Sequence, residues 1–179
     1  MTDSNRMKKV YADLNVVAAL DRPDQRPEEN EAIRVLKAWS DGGCITLVVS
    51  AVHDREKAPP EKYREERQRI LGSLPKVEFA DDHELLGFNT VYSGPGGTLG
   101  FVTSPLIADD AIARRLREIG LDRLDAHHVM LAIRRQCDAF ATCDENTLLK
   151  YRTQIEKEYS IRLMLPSEFV RQKGKAPTA

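Results

Sequence analysis

The chain has 179 residues, 41% hydrophobic and 31% charged, which fits one globular unit able to bury a core and excludes a low-complexity or fibrous chain. Its 27 Lys and Arg nearly cancel its 28 Asp and Glu, which excludes a global basic field and leaves only local patches for an anionic partner. Cys44, Cys137 and Cys143 are sparse, odd in number and without a CxxC pair, against both a disulfide framework and a structural zinc site.

Residues 1–9 are polar and lack the apolar run of a secretory signal. No apolar stretch approaches the ~20 residues that span a bilayer, so a cytoplasmic protein without a membrane partner is expected. Val10-Tyr-Ala12 reads as a buried strand ending on Asp13, and Leu14 to Leu20 as a helix starting at its end. Pro27 opens a second helix, with Ala32, Val35, Leu36 and Trp39 on one face and Gly42-Gly43 closing it. Cys44 to Val49 is a continuous apolar run, the pattern of a strand covered on both faces. Ser50 can cap a helix running to Pro59-Pro60, and a charged helix is expected from Glu61 to Leu74. Lys76 to Ala80 is a short strand candidate.

Residues 87–103 hold Ser93-Gly-Pro-Gly-Gly97 between two β-prone arms, Thr90-Val-Tyr92 and Leu99-Gly-Phe-Val102. That pattern predicts an inserted β-hairpin. Having no Lys or Arg, it suits contact with a second subunit or a partner through Val91, Tyr92, Leu99, Phe101 and Val102. Ser104-Pro105 predicts a helix start whose stripe is Ile112, Leu116 and Ile119. Asp122 to Asp125 opens another helix, with Ala126, Val129, Met130, Ile133 and Cys137 facing the core. Ala139 to Thr142 is a strand ending on Cys143-Asp144, followed by a charged helix to Tyr159. Ile161 to Leu165 is the last strand and Pro166 starts a short helix; residues 173–179 read as a flexible polar tail. Strands alternating with helices predict an α/β/α sandwich on a mostly parallel sheet, one domain over residues 1–172.

Such sheets carry their sites at the carboxyl ends of the strands. Asp13, Glu56 and Asp144 all follow predicted strands, and Asp125 opens the helix before the last of these. Several carboxylates without His or Cys ligands suit Mg²⁺ or Mn²⁺, hard cations that prefer oxygen. That donor set fits a metal-dependent phosphodiesterase. Each acid has a structural alternative: Asp125 and Asp144 as helix caps, Asp13 as a loop residue, Glu56 as a solvated helix residue. His127 and His128 are adjacent on a helix and point about 100° apart, which prevents them sharing one ion. His53 reads as structural or as a support to the neighbouring acid. Lys57, Lys62, Arg64, Arg67 and Arg69 offer contacts to phosphates, but Glu61, Glu65 and Glu66 are interleaved with them, which favours a salt-bridged, solvated face. Arg114, Arg115 and Arg117 form a cleaner basic cluster and are candidates for contact with RNA.

Five blocks carry a resemblance. Val10-Tyr-Ala-Asp13-Leu-Asn15-Val16, Ser50-Ala-Val-His-Asp-Arg-Glu56 and Asp125-Ala-His-His-Val-Met-Leu-Ala132 resemble the first three acid blocks of PIN-domain nucleases, which include VapC-like toxin ribonucleases. Phe140-Ala-Thr142-Cys-Asp144 with Leu148-Leu149 resembles their Thr-x-Asp block, and Leu165-Pro-Ser-Glu-Phe169 their closing motif. The resemblance implies a PIN-like fold in which Asp13, Glu56, Asp125 and Asp144 bind metal, with Asn15 and Thr142 supporting them. Asp54 competes with Glu56 for the second acid. The implied activity is Mg²⁺- or Mn²⁺-dependent hydrolysis of RNA. One setting the resemblance implies is the toxin of a toxin–antitoxin pair, a homodimer silenced by an antitoxin protein; other relatives act in RNA processing or flank other domains. The alternative is an inactive PIN-like module that binds RNA or protein without catalysis. An aspartyl-phosphate phosphatase is disfavoured, because Asn15 stands where its second aspartate would be.

Overall fold

The computed structural model describes residues 8–21, 26–50, 61–75, 88–90, 101–103 and 110–174. Four parallel strands form its sheet, in the order β2 (Ile45–Val48), β1 (Lys8–Ala12), β5 (Ala139–Ala141), β6 (Arg162–Met164). Parallel neighbours need crossover connections, and helices supply them. They are α1 (Leu14–Asp21), α2 (Pro27–Asp41), α3 (Glu61–Ser73), α4 (Ala111–Ile119), α5 (Arg123–Arg134), α6 (Arg152–Glu158) and α7 (Pro166–Gly174).

Successive strand residues point to opposite faces, and each face builds its own core. Val10, Ala12, Leu47, Ala139 and Ala141 pack with Val16, Leu36, Leu71 and Phe169, from α1, α2, α3 and α7. Tyr11, Val48, Phe140 and Leu163 pack with Leu116, Val129, Met130 and Ile155, from α4, α5 and α6. The expected α/β architecture with helices on both faces of a parallel sheet is present.

Local chemistry sets the boundaries. Pro27 sits at the start of α2, where its missing N–H costs nothing, and Gly43 (φ 71°) turns the chain towards β2. Helix α4, which carries the expected Ile112, Leu116 and Ile119 stripe, begins at Ala111, where the Asp110 side chain accepts from the N–H groups of Ile112 (2.9 Å) and Ala113 (3.2 Å); Ser104-Pro105 lie outside the described residues. Gly120 (φ 122°) ends α4, and a Cβ there would lie 2.7 Å from the Tyr151 ring. At the far end, Lys173 and Gly174 belong to α7 and not to a tail. The Lys173 ammonium lies 5.2 Å from the Trp39 ring centroid and donates to the Cys44 carbonyl (2.5 Å), which ties the helix end down.

Strands β3 (Phe88–Thr90) and β4 (Phe101–Thr103) pair antiparallel, Phe88 opposite Thr103, so the predicted hairpin forms with its first arm starting two residues early. Its centre, residues 91–100, lies outside the described residues, as do the 76–80 strand, the helix after Ser50 and residues 175–179.

Candidate active site

Asp13 continues the line of β1, its N–H bonded to the Ala141 carbonyl of β5 at 3.0 Å. Next to it β5 ends on Thr142, whose N–H donates to the Met164 carbonyl of β6 at 3.1 Å. Both residues are buried, Asp13 6% and Thr142 0% exposed, and a buried carboxylate must find donors. Among the described residues Asp13 accepts from the Leu14 N–H on Oδ1 (2.7 Å) and from the Asn15 amide and Thr142 hydroxyl on Oδ2 (both 2.7 Å). Asn15 also donates to Thr142 Oγ1 (3.1 Å) and accepts the Cys143 N–H (3.0 Å). Thr142 Oγ1 in turn accepts the Asp144 N–H (3.0 Å). Asn15 and Thr142 therefore lock Asp13 to the turn that carries Asp144.

The Asp144 side chain caps that turn, Oδ1 accepting from the N–H groups of Asn146 (3.0 Å) and Thr147 (2.9 Å), and Oδ2 from the Thr147 hydroxyl. Asp125 lies in the first turn of α5, behind Asp122, which caps the helix through the Leu124 and Asp125 N–H groups (2.8 and 2.9 Å). The capping alternative therefore holds for Asp144 and passes to Asp122 in place of Asp125.

Burial, then Asp122, Asp13 and Asp144, push the Asp125 carboxyl up to about 6; the Thr147 hydroxyl pulls the other way. These acids feel one another's charge, and Thr147, with one proton to give, sits against both Asp125 and Asp144. Among the described residues no group of three or more His, Cys, Asp or Glu side chains is arranged to hold a metal ion. The donor chemistry nonetheless fits one: the groups acting on Asp125 are carboxylates and a hydroxyl, the hard oxygen set that Mg²⁺ and Mn²⁺ take. Glu56 and its rival Asp54, with His53, lie outside the described residues. Burial pushes the Cys143 thiol up to about 12, so it stays protonated in the metal-free chain.

Beneath Asp13 is a network that the sequence does not announce. The Tyr11 hydroxyl meets Ser50 Oγ and His128 Nδ1, each at 2.7 Å, and its ring stacks on Phe140 at 5.2 Å. Burial pushes the His128 imidazole below its usual pKa, so it is a neutral partner for Tyr11. Thr147 is a further site residue that sequence reasoning misses; its one signal is the Asp144-x-x-Thr147 spacing of a capped turn.

Of the basic cluster, Arg115 is engaged elsewhere. Its fork grips Glu158 (2.7 and 2.8 Å) and reaches Glu118 (3.1 Å), which raises its pKa and lowers that of Glu158. Arg114 and Arg117 are exposed on the same helix.

The fold and the site together define an α/β protein with linked carboxylates at the carboxyl edge of a parallel sheet. Compared with family models, curated proteins and solved structures, the chain matches none. No helix among the described residues is long and apolar enough to cross a membrane.

Proposed function

We propose that this chain is a PIN-like, Mg²⁺-dependent ribonuclease. The observation that carries the proposal is the Asp13–Asn15–Thr142–Asp144 lattice, with the charge of Asp125 coupled to it. Asp13, Asp125 and Asp144 would hold the cation, joined by Glu56 or Asp54. When bound, Mg²⁺ or Mn²⁺ would offset the phosphate charge and acidify a water.

The chain's own groups do the rest. Asn15, Thr142 and the Leu14 N–H fix both oxygens of Asp13, so its carboxylate is oriented before substrate arrives. The turn holds Asp144 in the same way. Burial and the carboxylates around Asp125 push its carboxyl up to about 6 in the metal-free chain, a crowding of negative charge that a bound cation would relieve.

The test is cleavage of a fluorescent single-stranded RNA by the purified full chain. Cleavage is expected to stop in EDTA and return with Mg²⁺ or Mn²⁺. Asp13→Asn and Asp144→Asn are expected to lose at least about a hundredfold in rate while remaining folded. RNA bound but uncut at every metal concentration would replace this reading with the non-catalytic module.

A further inference from the structure

A cleft of about 520 Å³ runs beside β6, the last strand of the sheet, between α6 and α7. Arg152, Arg162 and Arg171 line it with Glu156, Glu168 and Gln172, and Met164 adds an apolar wall. Both glutamates are occupied with the strand. Glu156 accepts the Leu163 N–H (2.8 Å), and Glu168 accepts the Leu165 N–H (3.1 Å) while holding Arg152 (2.9 Å). Arg162 donates to Gln172 (2.9 Å) and has no carboxylate partner among the described residues. Arg171 donates to the Ser167 carbonyl (3.3 Å), and the carboxylate nearest it is Glu28, 3.8 Å away and beyond hydrogen-bond distance. The cleft thus holds three guanidinium groups against two carboxylates already engaged by backbone N–H groups.

That arrangement selects its occupant. An added protein strand needs free N–H groups on the edge, and those of Leu163 and Leu165 are taken by side chains. Two guanidinium forks without a bonded carboxylate suit phosphate, which each can grip with paired N–H bonds. The cleft also lies one strand from the acidic lattice, since the Met164 carbonyl receives the Thr142 N–H. We infer that the Arg162–Arg171 cleft is a second anion site that grips a phosphate of the RNA strand away from the bond being cut. It rests on the ribonuclease reading for its substrate.

The test separates the two. Binding of a fluorescent single-stranded RNA to the full chain is measured in EDTA over a range of salt, where no cleavage enters. The exposed pair Arg162→Gln/Arg171→Gln is expected to weaken binding about tenfold and to flatten log Kd against log salt by about 0.7 for each phosphate released. Melting should be unchanged, and inorganic phosphate should compete with RNA for the wild type but not the variant. Unchanged affinity and salt slope, no RNA binding by the wild type, or displacement by an acidic peptide but not by phosphate would each overturn the inference. Binding that responds as expected in a protein that never cuts RNA would sink the ribonuclease reading alone.

Discussion

The two faces of the sheet are built from the same strands and solve different problems. On the α1–α2–α7 side, β1 and β5 present Val10, Ala12, Ala139 and Ala141, small side chains that let helices approach closely. On the α4–α5–α6 side the same strands present Tyr11 and Phe140, and a tyrosine hydroxyl must find partners at that depth. One face is specified by volume and the other by volume plus a polar network. The difference teaches that a strand two residues from a site can be apolar throughout on one side and carry hydrogen bonds towards the site on the other.

Removing the large ring should cost most. Phe140→Ala takes out a fully buried side chain against which Tyr11 stacks, and about 3–5 kcal/mol should be lost in denaturant melts. The opposite face should fail by crowding: Ala139→Leu forces a larger side chain between β5 and its helices at about 1–3 kcal/mol. A melt of Ala139→Leu indistinguishable from wild type would mean that the small-residue face is loosely packed, and the contrast would collapse. Tyr11→Phe keeps the ring and deletes the hydroxyl, leaving Ser50 and His128 one partner fewer, at about 1–2 kcal/mol.

Asp125 gives a pH test of the site above that network. Its carboxyl titrates near 6 when folded and at ~3.9 when unfolded, so the native state holds more protons between those values. Stability from this group is therefore full below pH 4 and falls as pH rises to about 6. Asp125→Asn should abolish the fall and gain about 1 kcal/mol at pH 7, a figure already discounted for a half-exposed group. A wild-type profile that rises across that window would show that Asp125 is not crowded by its neighbours. The smallest effect should be Arg115→Ala, a solvated ion pair whose loss should not displace the melt measurably.

The sequence carries the sheet better than it carries what the sheet contains. Val10-Tyr-Ala12, Ile45 to Val48, Ala139 to Ala141 and Arg162 to Met164 are short apolar runs between turn signals, and periodicity reads those directly. Asp13 and Asp144 are legible because each follows a strand end, where the topology itself gathers side chains, whereas Asn15 and Thr142 are singled out only by the family resemblance. The Tyr11–Ser50–His128 network is not, because its partners are 39 and 117 residues apart and each reads locally as an ordinary core or cap residue. Glu29 is hidden for a similar reason. In a helix rich in charge it looks solvated, yet it is 2% exposed and accepts both the N–H and the hydroxyl of Ser167, 138 residues on. Arg115 looks free in the sequence because charge runs do not reveal which acid a different helix will bring.

The position of β1 in the middle of the sheet has a consequence for how the chain comes to be folded. β1 is made first among the strands, yet one of its two neighbours is β5, and the Asp13–Thr142 bond closes across 129 residues. At about 5–20 residues per second, β1 waits on the order of ten seconds on the ribosome before β5 exists. Until then one of its edges is exposed and Asp13 lacks its Thr142 partner. A nascent chain shorter than about residue 142 can hold β1 against β2 but cannot assemble the acidic lattice. The acidic lattice can close only once translation has passed through β5.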